Sequence, residues 1–316
     1  MEEWRTRLDS WQPVAVPQEI PHGDMPGDKV CIGPEHIAKA ETVFDALRGM
    51  LARQLDASAG GRAVVSVCGG SGVGKSELAS VLGYYLNALG IGAYIMSGDN
   101  YPRRIPRDND AERLRVYRVG GLRGLVQSGI YTEEMGRTLR ALWAEDTDAD
   151  AAQAERYPFM AVYQQEGRRQ LSLYLGTPQE TDFDEVNGII AAFKGGAQRI
   201  ALKRMGREPQ ALWYDNVDMS GVRVLIIEWT HGNSDYLSGV DIPVLLNSTP
   251  AQTLAHRLAR SRDGKIDSAF TTMVLEIEQK KLDSQAHKAK VILSTEGRRL
   301  SYGEYRLEMA QEGDRL

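Results

Sequence analysis

One eight-residue segment constrains this chain of 316 residues more than any other. It reads Gly69-Gly70-Ser71-Gly72-Val73-Gly74-Lys75-Ser76 and matches the spacing G-x-x-x-x-G-K-[ST]. The apolar run at 63–68 predicts a buried strand before it, and residues 76–89 predict an amphipathic helix after it. In this context the glycines let backbone N–H groups turn toward phosphate oxygens, and the helix N-terminus adds a favourable dipole. We therefore assign all eight residues to a nucleotide-phosphate loop.

The two residues at the end of this loop predict which ligands it binds. Lys75 is expected to contact the β- and γ-phosphates and to take part in catalysis, and the Ser76 hydroxyl to bind Mg²⁺. We therefore expect ATP and Mg²⁺ as cofactors. The sequence contains neither the Asn-Lys-x-Asp motif typical of GTPases nor the Leu-Ser-Gly-Gly signature of transporter ATPases. These two classes of nucleotide-binding protein are therefore not favoured.

The remaining apolar runs alternate with helical patterns. Strands are predicted at 93–96, 222–227, 243–246 and 291–293, and helices at 250–260 and 271–285. Strands that alternate with helices indicate a parallel sheet covered on both faces. The predicted fold class is an α/β P-loop NTPase three-layer sandwich, with a mostly parallel five-stranded sheet and a helical insertion.

Two regions lie outside this alternation. Residues 1–60 are predicted to form an N-terminal arm and helix, ahead of a P-loop domain at 61–316. Five prolines predict an irregular arm over 1–35, and an apolar stripe from Ile37 to Leu55 predicts the helix. This stripe could be buried against the chain's own core or in a homodimer, and both options remain open. Residues at about 103–180 are predicted to form the insertion.

Two acids follow predicted strands, at the edge of the sheet where parallel strands place a ligand crevice. Asp99 would face the γ-phosphate and could accept the proton of an attacking hydroxyl, which makes it a candidate for catalysis and for acceptor binding. Glu228 ends the strand at 222–227 and is a candidate Mg²⁺ partner. His231 is a candidate substrate contact, although a histidine in a tight turn is more often structural.

A cluster of arginines follows the predicted helix at 250–260. Arg257 and Arg260 are candidate catalytic residues, and Arg262 is a candidate ATP ligand, because arginines at this spacing can converge on phosphates. A solvated basic face is the alternative. Gly264 and the polar segment 261–268 favour a lid that closes over ATP.

The composition is that of a globular protein, with 42% hydrophobic and 26% charged residues. There are 43 acidic against 38 basic residues, which gives a formal net charge of −5. This balance is not typical of proteins that bind nucleic acids or anionic membranes. No apolar run approaches the ~20 residues of a membrane helix, and two cysteines suit a reducing compartment. We therefore expect a cytoplasmic protein with no nucleic-acid or membrane partner.

Several segments resemble the uridine kinase, phosphoribulokinase and pantothenate kinase family of P-loop kinases. The loop at 69–76 is similar to theirs, and Ser97-Gly98-Asp99-Asn100-Tyr101 resembles their catalytic Asp-x-Phe/Tyr stretch. Segments 181–184 and 226–228 resemble their Asp-Phe-Asp and Val-Glu-Gly elements, and 284–293 resembles their closing helix and strand. The resemblance implies phosphoryl transfer from ATP to a hydroxyl, with Asp99 as general base and Glu228 as a magnesium partner.

The resemblance covers roughly residues 61–104 and 181–296. Trp229 replaces the family's glycine, and the insertion at 103–180 has no counterpart in the smaller uridine kinases. Both departures lie where the acceptor is expected, so no relative's substrate is transferred to this chain.

The acceptor itself stays open between a nucleoside, a sugar, a sugar phosphate and a pantothenate-like molecule. Arg103 and Arg104 could bind an anionic acceptor, and Tyr101 and Tyr214 could stack on a base or pack on a sugar. Surface arginines and core aromatics are the alternative for each of them. An adenylylsulfate-kinase-like phosphotransferase and a non-catalytic nucleotide-binding regulator are the competing functions.

Overall fold

The computed structural model describes residues 2–208, 210–249, 251–254 and 268–313. Its helices are α1 (Glu2–Asp9), α2 (Pro34–Ala57), α3 (Lys75–Ala88), α4 (Pro106–Gln127), α5 (Glu133–Ala144), α6 (Ala152–Arg156), α7 (Phe159–Ser172), α8 (Phe183–Lys194), α9 (Ala269–Gln285) and α10 (Tyr302–Gly313). Its strands are β1 (Ala63–Gly69), β2 (Ala93–Ser97), β3 (Arg199–Met205), β4 (Leu212–Asp218), β5 (Val224–Glu228), β6 (Ile242–Leu246), β7 (Val291–Leu293) and β8 (Arg299–Leu300).

The central sheet has the strand order β2-β5-β1-β6-β7-β8. The first five strands in this order run parallel, and β8 pairs antiparallel with β7 at one edge. The predicted α/β fold with a mostly parallel sheet is therefore confirmed, with one short edge strand more than the five predicted. This order places β1, which leads into the phosphate loop, between β5 and β6.

The core lies on both faces of the sheet because successive side chains of a strand point to opposite sides. On β1, Val65 and Val67 belong to a cluster that packs under α2 and α3, whereas Val64 belongs to a cluster with α8 on the other face. A third cluster joins Leu245 and Ile292 to α9 and α10. The result is a sheet between two layers of helices.

The N-terminal region packs on the chain's own core. The prediction of an irregular arm is wrong for Glu2–Asp9, where α1 forms. Leu8 and Trp11 are buried, and the Trp11 ring lies 4.8 Å from Phe44 of α2 and 5.4 Å from Tyr85 of α3. Burial of these side chains stabilises α1, a short helix whose sequence has little apolar periodicity. The apolar stripe of α2 also faces this core, so its burial does not require a second copy of the chain.

Residues 106–172 form four helices, α4 to α7, between β2 and α8. They have their own apolar cluster, which also includes Val274 and Ile277 of α9. Helices α4 and α7 cross closely at Gly121, where an added Cβ would overlap the ring of Tyr163. The four helices of the insertion therefore pack against α9.

Strands β3 and β4 form an antiparallel hairpin outside the main sheet, and sequence reasoning did not predict it. The sequence of the exposed strand β4 does not alternate regularly between apolar and polar residues, because the adjacent Trp213 and Tyr214 are followed by polar residues. The hairpin packs through Ile200 and Leu202 against the face of the sheet that α8 covers. Within the described ranges, no helix has the length and hydropathy needed to cross a bilayer.

Candidate active site

The phosphate loop leaves the buried strand β1 and enters α3 at Lys75. Gly69 has φ of 153°, and a Cβ on it would lie 2.6 Å from the carbonyl oxygen of Leu246, so only glycine fits this bend. Gly74 is the N-cap of α3 and has no side chain to occupy the first N–H groups of the helix. Lys75 folds back and donates to the carbonyl of Gly70 at 3.0 Å. This arrangement is suited to bind phosphate oxygens, which the dipole of α3 also favours at its N-terminus.

Glu228 lies at the meeting point of three strand ends. In the register of the sheet it pairs with Ser97 of β2 and with Val67 of β1. The Ser97 hydroxyl donates to its Oε1 at 2.7 Å, and the Ser76 hydroxyl donates to its Oε2 at 3.1 Å. Burial and the nearby charge of Asp99 raise the pKa of Glu228 to about 8. A hydroxyl and a carboxylate side by side are hard oxygen ligands of the kind Mg²⁺ prefers, so the two residues fit the predicted metal role.

Asp99 lies in the 3-10 turn Gly98–Asn100 that directly follows β2. Its side chain is exposed and lines a cavity of about 580 Å³ together with Lys75, Ser76 and Glu228. The structure therefore brings together the phosphate-loop lysine, the candidate metal ligands and the candidate base. Sequence reasoning placed these residues at the same edge of a parallel sheet, and the topology explains why they meet.

His231 lines the same cavity, and its ring lies next to the backbone of Gly176. Its ring is edge-on to Trp229, with ring centroids 5.4 Å apart. Burial lowers the pKa of His231 to about 4, with the charge of Glu180 opposing the shift. At neutral pH this ring is uncharged. It can donate one hydrogen bond to a bound substrate and accept one from it, but it adds no positive charge to the site.

Four predicted acceptor residues lie outside this cavity. The Tyr101 side chain is fully buried, and its hydroxyl lies 3.7 Å from the sulfur of Met96. Arg103 pairs with Asp182 at 3.0 Å. Arg104 donates to the Tyr174 hydroxyl at 3.1 Å and pairs with Glu112.

Tyr214 lies on the exposed β4, where its hydroxyl donates to Glu185 at 2.9 Å. Adjacency to Asp99 in the chain does not bring Arg103 and Arg104 to the cavity, because the chain leaves the cavity wall after Pro102 and returns to it at Pro106. The candidate lid arginines Arg257, Arg260 and Arg262 lie outside the described residues, so their roles stay predictions.

The cavity also contains residues that sequence reasoning missed. Arg113 of α4 and Glu180 come from the helical insertion and the segment after it, and Met25 and Asp28 come from the N-terminal arm. Charged residues on a helix give no sequence signal that separates a pocket wall from a solvated face. In the arm, the Pro-Gly pair at 26–27 is typical of a turn, but nothing in the sequence indicates where that turn packs.

No protein-family model matches the chain. Among curated proteins, the bifunctional alpha-galactosidase/sucrose kinase AgaSK of Mediterraneibacter gnavus is 38% identical over 242 residues, which cover 77% of this chain. The chain is therefore similar in sequence to one part of that enzyme. It spans about a fifth (21%) of the enzyme's length. The predicted resemblance to P-loop kinases is confirmed by this match together with the loop and the fold.

Two solved structures align with most of the chain. A protein described as a fructose transport system kinase from Silicibacter sp. TM1040 is 19% identical with a TM-score of 0.42, over 85% of this chain and 97% of that one. A protein described as a uridine kinase from Bacillus stearothermophilus is 15% identical with a TM-score of 0.40, over 79% of this chain and 98% of that one.

Proposed function

We propose that the chain is an ATP- and Mg²⁺-dependent kinase that transfers the γ-phosphoryl group to a hydroxyl of a neutral carbohydrate. One observation carries the proposal: a single cavity is lined by Lys75 and Ser76 of the phosphate loop and by Asp99 and Glu228 of the adjacent strand ends. ATP with its metal supplies the electrophilic phosphorus when bound. The residues of the chain have to bind ATP, orient the acceptor hydroxyl and accept the proton of that hydroxyl.

Each of these tasks has a candidate residue. The loop amides and Lys75 hold the phosphates, and Ser76 with Glu228 holds the metal against them. Asp99 is exposed to the cavity, where its carboxylate can orient the acceptor hydroxyl and accept its proton as the oxygen attacks. Because the covalent chemistry is simple, most of the rate enhancement comes from positioning and from charge placed around the transferring group.

The relative found among curated proteins is named for two activities, and the match supports the kinase activity for this chain rather than the galactosidase activity. A kinase must bind a nucleotide, and a phosphate loop ahead of a helix is built for that purpose. Glycoside hydrolysis instead uses a pair of carboxylates and water, with no need of such a loop. The segment matched in the relative therefore fits its sucrose kinase activity, which favours a sugar acceptor here.

The charges around the cavity favour a neutral acceptor over a sugar phosphate. Among the described residues that line it there are four cations, Lys75, Arg107, Arg113 and Arg207, and, besides the candidate metal ligand Glu228, five carboxylates, Asp28, Asp99, Asp110, Glu180 and Glu208. Arg113 is already paired with Glu180 at 2.5 Å, and Arg107 with Asp108 at 3.2 Å. A second anion beside ATP would meet a carboxylate-rich wall, whereas sugar hydroxyls can donate hydrogen bonds to it.

Phosphoryl transfer from ATP to a panel of acceptors tests the proposal. The panel contains neutral mono- and disaccharides, sugar phosphates, nucleosides and pantothenate, and the readout is the mass gain of one phosphoryl group. We expect transfer to a neutral sugar, and a fall in kcat of about 10²–10⁴-fold in Asp99→Asn with ATP affinity retained. Asp108→Asn, which removes an exposed carboxylate from α4, is the control. Normal turnover by Asp99→Asn would exclude Asp99 as the base.

A panel in which only phosphorylated sugars react would overturn the neutral-acceptor part of the proposal while leaving the kinase assignment in place. Tight ATP binding without transfer to any acceptor would instead favour the regulator that the sequence left open. The expected cytoplasmic location, the absence of a nucleic-acid partner and a homodimer stay predictions.

A further inference from the structure

A segment of the N-terminal arm runs along the edge strand β2 and is tied to the turn that carries Asp99. The carboxylate of Asp24 accepts from the backbone N–H of Ser97 at 2.7 Å and from the side-chain amide of Asn100 at 3.1 Å. These two partners flank Asp99 on either side in the chain. The position of the candidate base is thus coupled to a residue 75 positions earlier in the sequence.

The same carboxylate also reaches the hairpin. Arg204 of β3 pairs with Asp24 at 2.9 Å, and Tyr94 of β2 donates to it at 2.9 Å. The side chains of Asp24 and Arg204 are 9% and 7% exposed, so both charges are nearly removed from water. A buried ion pair contributes little net stability because desolvation offsets its attraction, but separating its two charges is costly because each would be left buried without a partner. Asp24 therefore joins the arm, the end of β2 and the hairpin in one defined arrangement.

Directly after Asp24 the arm makes a tight turn into the cavity. The N–H of Asp28 donates to the carbonyl of Met25 at 3.2 Å, and Gly27 has φ of 73°. Proline followed by a glycine with positive φ is typical of a type II turn, which is rigid and places its first and last residues side by side. Met25 and Asp28 are these residues, and both line the cavity with Asp99.

The arm also approaches the candidate metal ligand. A Cβ on Gly23 would lie 3.7 Å from Oε1 of Glu228 and 3.6 Å from the side chain of Ile95. Because β2 is the edge strand of the sheet, the arm closes the cavity on the side away from β6 and β7. The phosphate loop occupies the end of β1, so the arm borders the space left for the acceptor.

We propose that residues 23–28 of the N-terminal arm form the acceptor-side wall of the active site, with Asp28 contacting the acceptor and Asp24 positioning Asp99. The inference rests on the proposed kinase function and adds a specificity element to it. A carboxylate can accept hydrogen bonds from two neighbouring sugar hydroxyls, and the side chain of Met25 can pack on the apolar face of a sugar ring. The arm is then part of the catalytic unit rather than an appendage to it.

Replacing Asp28 tests the acceptor contact in the full-length chain. Asp28→Ala is expected to raise the KM and the dissociation constant for the sugar about tenfold or more, with the KM for ATP within twofold of wild type. Glu19→Ala removes an equal charge from an exposed position on the same arm and is expected to change neither value. Sugar binding is measured by calorimetry as well as by turnover, so that a binding effect is seen even when transfer is slow.

The outcomes separate the two proposals. If the wild type phosphorylates a sugar, and Asp28→Ala behaves like Glu19→Ala, the arm proposal fails and the kinase assignment stands. If the wild type neither phosphorylates nor binds any carbohydrate, both proposals fail. A tenfold loss of sugar affinity confined to Asp28→Ala supports both.

Replacing Asp24 tests the positioning role. Asp24→Ala is expected to lower kcat at least tenfold per nucleotide-binding site, counted by titration so that unfolded protein does not contribute. Tyr94→Phe removes one partner of the same carboxylate without touching the turn at Asp99, and its kcat is expected to stay within twofold. Asp24→Asn keeps an oxygen for the N–H of Ser97 and is expected to recover part of the lost rate. Equal kcat values per site in Asp24→Ala and Tyr94→Phe would overturn the positioning role.

Discussion

Replacing Glu180 with alanine is expected to destabilise the protein far more than replacing a second acid that pairs with the same arginine. The Glu180 side chain is 1% exposed. Its carboxylate accepts from the N–H of Gly176 at 2.6 Å, from the Asn109 amide at 3.1 Å and from Nε of Arg113 at 2.5 Å. Burial opposes the ionised form, but the charge of Arg113 and these hydrogen bonds keep the pKa of Glu180 below its usual value.

The magnitude follows from what the alanine variant leaves behind. Removing one partner of a buried ion pair costs about 3–5 kcal/mol, because the remaining charge stays out of water. Arg113 would keep Glu278 and Asp110, each at 3.7 Å, which places the expected loss near the lower end. Two orphaned neutral donors add about 1 kcal/mol each. We therefore expect the free energy of unfolding to fall by about 3–5 kcal/mol.

Asp110 provides the matched control. It pairs with the same Arg113, but its side chain is 73% exposed. An exposed pair of this kind contributes about 0–1 kcal/mol, so Asp110→Ala is expected to change stability only slightly. Urea unfolding of the nucleotide-free chain measures both variants, and thermal unfolding should show a fall of about 5–10 °C for Glu180→Ala alone.

Equal stability losses in the two variants would refute this reasoning, since burial would then not decide what the ion pair contributes. A loss below about 1 kcal/mol in Glu180→Ala would refute it as well, because Arg113 would have found solvent or other partners without cost. An unchanged urea m-value is the check that the denatured state has not changed between the variants.

Two further perturbations test the packing and the protonation of the site. Gly121→Val is expected to cost about 3 kcal/mol, because its side chain would overlap the ring of Tyr163. Gly188→Ala in α8 meets nothing within 4 Å and is expected to gain up to about 1 kcal/mol. Urea unfolding measures both. The pKa of His231 is lowered to about 4 in the folded state, against 6.5 in the unfolded chain, so its contribution to stability is complete above pH 6.5. It falls by up to about 3 kcal/mol as the pH drops from 6.5 to 4, since only the unfolded state then binds the proton. Thermal unfolding across this range should lose this slope in His231→Gln and keep it in the exposed His287→Gln; a slope that survives in His231→Gln would show that other groups cause it.

Much of the nucleotide side was readable from the sequence, for a local reason. The phosphate ligands are consecutive residues at 69–76, and the strand and helix around them come from short-range patterns of hydropathy. Asp99 and Glu228 could be placed beside them because the carboxyl ends of parallel strands share one edge of a sheet. The parallel sheet itself is confirmed, while the roles of these residues stay proposals. Helix α1, in contrast, was not predicted from the sequence, because it depends on burial of Leu8 and Trp11 against aromatic rings that are distant in the chain.

The composition of the proposed acceptor side was decided by tertiary structure alone. The cavity is lined by Asp28 of the arm, by Arg113 of α4, by Glu180, and by Glu208 at the tip of the hairpin, which lie far apart in the chain. No local pattern distinguishes such side chains from solvated charges. Only the folded chain brings the carboxylate of Asp24 to the turn at Asp99, because a hydrogen bond between distant segments depends on the packing of everything between them.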